Sequence, residues 1–183
     1  MVKIHKVHVA LLAGAGLLML STATAVTIPK GAVAVRPFYV DKFLGKWYEI
    51  ARLDYKYEED LNNVTATYSL RKDGAIRVDN RGYDYTKNKW KESIGKAKFA
   101  REEDMGRLKV SFFGPFYAGY NVIAIDREYK YALIAGNNLK YMWILSRETT
   151  IPDHVKESYL AKAREIGYDT DALVWCEHDG DQE

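Results

Sequence analysis

The sequence predicts an all-β protein: an eight-stranded antiparallel up-and-down β-barrel with one C-terminal α-helix packed outside and a short final strand. Three observations lead there. Between about residue 45 and residue 147, short runs of alternating apolar and polar residues recur, with turn residues between them. Their connections are short, which suggests an antiparallel meander, and closing that meander removes its exposed edges. One segment of helical periodicity follows the last of them.

Residues 1–25 stand apart from this domain. Lys3 and Lys6 precede an unbroken apolar run, Val9–Leu20, and Ala23-Thr24-Ala25 makes a small-x-small site. That is the layout of a secretory signal peptide cleaved near Ala25. The run is shorter than the ~20 residues a helix needs to cross the hydrocarbon core. Its removal takes away two lysines and no acid, so the formal charge of +2 falls to zero. A neutral domain gives no electrostatic case for a nucleic-acid partner. The expected layout is an exported protein, periplasmic or secreted, with an N-terminal linker at 26–40. A folded domain at 41–177 and an acidic tail at 178–183 complete it.

The strands read in order as Gly45–Leu53, Val64–Leu70, Ile76–Tyr85, Trp90–Phe99, Leu108–Phe113, Tyr120–Asp126, Tyr131–Gly136 and Tyr141–Arg147. Lys72-Asp73-Gly74 is a hairpin signal, since Asp-Gly tolerates positive φ. Gly114-Pro115 and Asn137-Asn138 break later strands. In the fourth strand Gly95, Ala97 and Phe99 oppose Lys96 and Lys98. In the fifth, Leu108, Val110 and Phe112 oppose Lys109 and Ser111. The sixth is ambiguous, because Tyr120, Val122 and Ala124 are as apolar as Ile123 and Ile125. For the helix, Thr150 is the expected N-cap, Pro152 falls in the first turn and Gly167 supplies the stop. Val155, Tyr159, Ala163 and Ile166 share one face, with Leu160 beside it. Leu173–Glu177 is the final strand.

Little points to catalysis. His154 and His178 are the only histidines beyond residue 25, and neither neighbours a nucleophile pattern. There is no Gly-rich phosphate loop, metal-ligand cluster or paired catalytic carboxylate, so no cofactor and no metal are expected. The one cysteine, Cys176, excludes an intrachain disulfide and reads as a small buried hydrophobe.

Three short motifs carry a family resemblance. Gly45-Lys46-Trp47-Tyr48 at the first strand resembles the Gly-x-Trp signature of the lipocalins. Asp126-Arg127-Glu128-Tyr129 and Ile144-Leu145-Ser146-Arg147 resemble their second and third motifs, in the same order and spacing. Longer stretches, such as Trp47–Arg52 and Ser111–Phe116, look like the bacterial lipocalins, typically outer-membrane lipoproteins related to apolipoprotein D. The resemblance implies a calyx that binds a fatty acid, lysophospholipid or similar acyl lipid without covalent chemistry, as a monomer or homodimer. The stretch Leu18-Met19-Leu20-Ser21 holds no cysteine, so the lipid anchor of that group is not expected.

Parity divides the chain between two ends of a barrel. The start of the first strand, the turn at Asp126–Tyr129 and Arg147 must share one end. There Gly45, Trp47, Asp126, Arg127, Tyr129 and Arg147 are expected to form a structural plug, with Arg147 stacked on Trp47. Such a pair is worth ~1–2 kcal/mol when shielded from water. The other end is expected to be an open, aromatic mouth with Tyr55, Tyr57, Phe113, Phe116 and Tyr117, suited to gating acyl chains or peripheral membrane contact. Lining candidates are Glu49, Ala51 and Leu53; Val78 and Asn80; Gly95, Ala97 and Phe99; Val110 and Phe112; and Trp143. An inward Glu49 needs a Tyr or Arg partner or a proton, unless a bulge turns it outward. The competing classes are an envelope protein with a self-filled barrel and a lipocalin-fold enzyme.

Overall fold

A computed structural model describes residues 26–179; the expected signal segment 1–25 and residues 180–183 of the tail lie outside the described residues. The alternating runs form eight strands: β1 (Gly45–Leu53), β2 (Leu61–Leu70), β3 (Ile76–Asp84), β4 (Lys89–Phe99), β5 (Arg107–Phe113), β6 (Phe116–Ile125), β7 (Tyr131–Ala135) and β8 (Met142–Ser146). Each pairs antiparallel with the next, and β1 closes the barrel by bonding β8 on one side and β2 on the other. A one-turn helix, α1 (Val40–Phe43), precedes them, and α2 (Asp153–Ile166) and β9 (Leu173–Trp175) follow. Strand β9 pairs with Ala51–Leu53, extending the sheet outside the barrel.

Local differences from the expected elements have local causes. Strand β6 begins at Phe116 rather than Tyr120, because Gly114-Pro115 forms the whole turn and Phe113 pairs directly with Phe116. Helix α2 starts on Pro152, not on a Thr150 cap; the Thr150 carbonyl instead accepts the Ser146 hydroxyl at 2.9 Å. Gly167 ends α2 at φ 105°, where its N–H reaches Ala163 and Arg164 carbonyls. The stretch expected as a linker is bonded to the barrel along its length. Thr27 bonds Asn137, Val35 bonds Val122 and Phe38 bonds the Asp104 carbonyl.

The core has two layers separated by the barrel wall. Inside, Phe38, Phe43, Trp47, Tyr68, Ile76, Leu108 and Val122 pack together. Outside, Tyr159, Leu160 and Ala163 of α2 cover Ile50, Ala51, Ile123, Leu133 and Ile144. Two β-bulges sort the side chains between these layers. In β1 the register against β8 slips between Glu49 and Ala51. Glu49 therefore stays inward, opposite Leu145, while Ala51 and Leu53 turn outward and Arg52 takes the inward place opposite Trp143. The expectation that Ala51 and Leu53 line the interior is corrected: strict alternation fails at Ile50. A matching slip in β6 at Ile123 resolves the ambiguity there, with Tyr120, Val122 and Ile125 on the inner cluster and Ile123 and Ala124 on the outer one.

The closed end is organised by Arg147. Its guanidinium lies 3.8 Å over the Trp47 ring and donates to the carbonyls of Lys42, Phe43, Leu44, Lys46 and Tyr129. It thereby collects the free carbonyls at the end of α1. Gly45 has φ 96°, and a Cβ there would lie 3.3 Å from Arg147 Nη1. The Trp47 indole N–H donates to the Phe43 carbonyl at 2.8 Å. Asp126 accepts the backbone N–H groups of Glu128, Lys130 and Tyr131, shaping the β6–β7 turn. Tyr129 sits buried in that turn and accepts the Tyr39 N–H, whereas Arg127 is exposed. Trp47 is fully buried, so Trp47→Ala should cost ~3–5 kcal/mol of stability. Urea denaturation measures it, and an unchanged unfolding midpoint would contradict the plug.

Candidate functional site

With the closed end plugged, the inner face of the barrel leaves a cavity of about 660 Å³. Its wall stands on the inner cluster through Tyr68, Val78, Ala97, Leu108 and Leu145. The Tyr68 and Tyr120 hydroxyls meet at 2.7 Å, so these two buried polar ends satisfy each other. Around the opening, Tyr57, Phe113 and Phe116 are exposed, the phenylalanines by 69% and 74%. Tyr57 lies 6.3 Å from Phe113, and Tyr55 packs edge-on against Tyr57, Tyr141 and Trp143.

Among the residues expected inside, Glu49, Val78, Asn80, Ala97, Val110, Phe112, Phe113, Phe116, Tyr117 and Trp143 lie along this cavity. Phe99 does not; it packs on the inner cluster, paired with Leu108. Gly95 is also absent from the wall, because the Phe112 ring lies directly on it. A Cβ at 95 would come within 2.7 Å of that ring, so the small residue makes room for an aromatic instead of a ligand.

A polar cluster is set into the apolar wall. Arg52, 1% exposed, donates from Nη1 to Glu49 Oε1 at 2.8 Å and from Nε to Asp54 Oδ1 at 3.0 Å. Nη2 reaches the Glu58 carbonyl at 2.7 Å, and Nη1 also reaches the Leu61 carbonyl. The Glu58 carboxylate accepts the Trp143 indole N–H at 3.0 Å. Burial, then the charge of Glu58, raises the Glu49 carboxyl to about 8; the pairing with Arg52 offsets only part of this. Burial likewise raises Glu58, against the opposing Trp143 and Arg52 interactions. Arg52 and Glu58 were hidden from the sequence reading. The bulge reverses the parity of Arg52, and Glu58 reaches inward from a connecting loop.

Neither histidine enters the cavity wall. His154 is exposed on α2, and His178 bonds the Glu49 backbone carbonyl at 2.7 Å. Cys176 is half-buried, with its thiol pushed up to about 12 by burial, which suppresses the reactive thiolate. Among the described residues no group of three His, Cys, Asp or Glu is placed to hold a metal ion, and no helix is long and apolar enough to cross a membrane.

A plugged barrel with an apolar cavity and an outer helix is the calyx architecture of small-molecule binders. The chain belongs to the lipocalin family: the family model for the lipocalin-like domain matches residues 38–178. It is 50% identical over 154 residues to the outer membrane lipoprotein Blc of Citrobacter freundii, covering 84% of this chain and 87% of that protein. Against apolipoprotein D of Rattus norvegicus the identity is 34% over 125 residues, covering 63% and 64%. Among solved structures, insecticyanin from the tobacco hornworm Manduca sexta superposes with a TM-score of 0.68 at 18% identity, covering 85% of this chain and 88% of that one. The lipocalin fold is generally one of binding and transport, and this cavity is consistent with small hydrophobic ligands.

The carboxyl cluster makes stability depend on pH with a defined sign. Glu49 holds its proton in the folded state up to about pH 8 and releases it near 4.5 when unfolded. Folding therefore binds a proton between those values, and stability falls as pH rises through that window. Urea denaturation from about pH 5 to pH 8 should show this decline, and Glu49→Gln should make it shallower. Stability that instead rises with pH across the window would contradict the arrangement.

Proposed function

We propose that the protein is a reversible carrier of an acyl lipid, a fatty acid, lysophospholipid or similar molecule, held in the calyx without covalent chemistry. The observation that carries this reading is the cavity of about 660 Å³, bounded by apolar and aromatic side chains and open at one end. That volume lies within the roughly 300–1,000 Å³ of small-molecule pockets. It also disfavours a self-filled barrel. Binding would rest on the burial of methylenes, each worth ~0.8 kcal/mol, with the polar end of the lipid near the mouth.

We place this carrier in the cell envelope or outside it, with residues 1–25 acting as a signal peptide. The names of the Blc relatives, outer membrane lipoproteins, favour an envelope location. The exposed Tyr57, Phe113 and Phe116 would touch a membrane surface while lipid is exchanged. Calorimetric titration with a homologous series of lysophospholipids tests the carrier reading. Affinity should tighten by about fourfold in Kd for each added methylene until the calyx is full. Flat affinity from short to long chains, or no binding, would contradict it.

A further inference from the structure

The barrel wall is split along one seam. The ladder between β1 and β2 joins Gly45–Tyr48 to Thr65–Tyr68. Beyond that fork, toward the mouth, β1 runs on to Leu53 along β8 and β9. On the other lip, β2 slips against β3 between Asn62 and Thr65, and Asn63 turns to φ 51°. Asn tolerates that left-handed conformation. The Asn63 N–H, displaced from the β3 ladder, donates instead to the Glu177 carbonyl at 2.8 Å. Glu49 on one lip and Leu61, Val64 and Thr65 on the other all line the cavity, so the calyx lies directly behind the seam.

Residues 176–179 continue β9 and fill the seam, bonded to both lips. On the β1 side, the Cys176 N–H donates to the Ile50 carbonyl at 2.9 Å and His178 Nε2 to the Glu49 carbonyl at 2.7 Å. The His178 ring lies edge-on to Tyr48 at the fork, 5.4 Å between centroids. On the β2 side, the Asn63 amide donates to the Asp179 carboxylate, and the Asp179 N–H donates back to the Asn63 side-chain oxygen. From within, Arg52 spans the same gap, donating to the Leu61 carbonyl at 3.3 Å and the Glu58 carbonyl at 2.7 Å.

This closure is weaker than the ladders beside it. Glu177 and Asp179 are exposed, and each bond that residues 176–179 make can be exchanged for one to water. The Arg52 guanidinium keeps Glu49 and Asp54, both on the β1 side, when the Leu61 and Glu58 carbonyls part from it. Opening therefore strands no buried cation, which is what would make it costly.

We infer that residues 176–179 are a releasable strap and that the seam beneath them is a side entrance to the calyx. Its release parts residues 61–64 from β1 over roughly 13 Å of strand. An acyl chain then enters broadside, instead of threading end-on past the rings of Tyr55, Tyr57 and Phe113 at the mouth. The inference rests on the carrier reading above and concerns the path of the ligand, not its choice.

Cys176, the one cysteine in the sequence, reports on the strap because it is half-buried in the seam. Two rates are measured at one pH: alkylation of Cys176 by a maleimide, and stopped-flow exchange of cis-parinaric acid, a polyene fatty acid that fluoresces in apolar surroundings. Asn63→Gly keeps the positive φ and removes both side-chain bonds to Asp179. His178→Ala removes the bond to Glu49 and the contact with Tyr48. Neither side chain lines the cavity. Each variant should raise the alkylation rate and both binding rate constants by a common factor, about fivefold to tenfold, with Kd unchanged. Faster alkylation with exchange at the wild-type rate would confine the ligand to the mouth and overturn the side entrance. Faster dissociation alone, with weaker Kd, would make the strap part of the binding wall and overturn it too, as would unchanged alkylation in both variants. Those three outcomes leave the carrier reading standing. A wild-type protein that binds no parinaric acid would overturn the carrier reading and this inference together.

Discussion

The bulge at Ile50 is the constraint on which the rest of the structure depends. In a strand every residue faces opposite to its neighbour, so one inserted residue reverses everything beyond it. Before the bulge, Trp47 and Glu49 point into the barrel. After it, Ala51 and Leu53 point out beneath α2 and β9, and Arg52 points in. The same residue thus completes the outer apolar layer and brings the Arg52 guanidinium to donate to the buried Glu49 carboxyl. Without it, Glu49 would lose its partner and Arg52 would fall in the apolar layer under the helix, both costly burials. The slip at Ile123 in β6 does the equivalent work on the other side of the helix contact.

The two ends of the barrel follow from opposite uses of aromatic residues. At the closed end, Trp47, Phe43, Phe38 and Tyr129 are buried against one another, and Arg147 binds the carbonyls that α1 leaves free. Burying part of a guanidinium is offset by charge-assisted hydrogen bonds to five carbonyls and by its stack on the indole. At the mouth, Phe113 and Phe116 have no such cover. A barrel sealed at one end and greasy at the other is suited to a ligand with an apolar body and a polar end.

Much of this was legible in the sequence. Alternation located all eight strands, Asp73-Gly74 marked its hairpin with Gly74 at φ 76°, and parity brought Trp47 and Arg147 to one end. What alternation cannot show is its own interruption. Ala51 and Leu53 were assigned inward because an apolar residue is acceptable on either side of a wall that is buried on both faces. Only the pairing partner of Arg52 reveals the slip. Gly95 misled for a different reason: a missing side chain reads as space, but the space was taken by Phe112. Glu58 and α1 depend on a loop and a single turn, too short to carry any period. The polar half of the candidate site was thus the least visible part.

The central claim, that a lipid chain occupies the calyx, is tested most directly through Trp143, which lines the cavity and stacks on Tyr120 and Tyr141. Titration with an acyl lipid brominated along its chain should quench tryptophan emission saturably. The quenching should persist in Trp175→Phe, whose indole lies on the outer strand β9, and be largely lost in Trp143→Phe. Absence of saturable quenching, or equal quenching in both variants, would contradict a lipid inside the barrel.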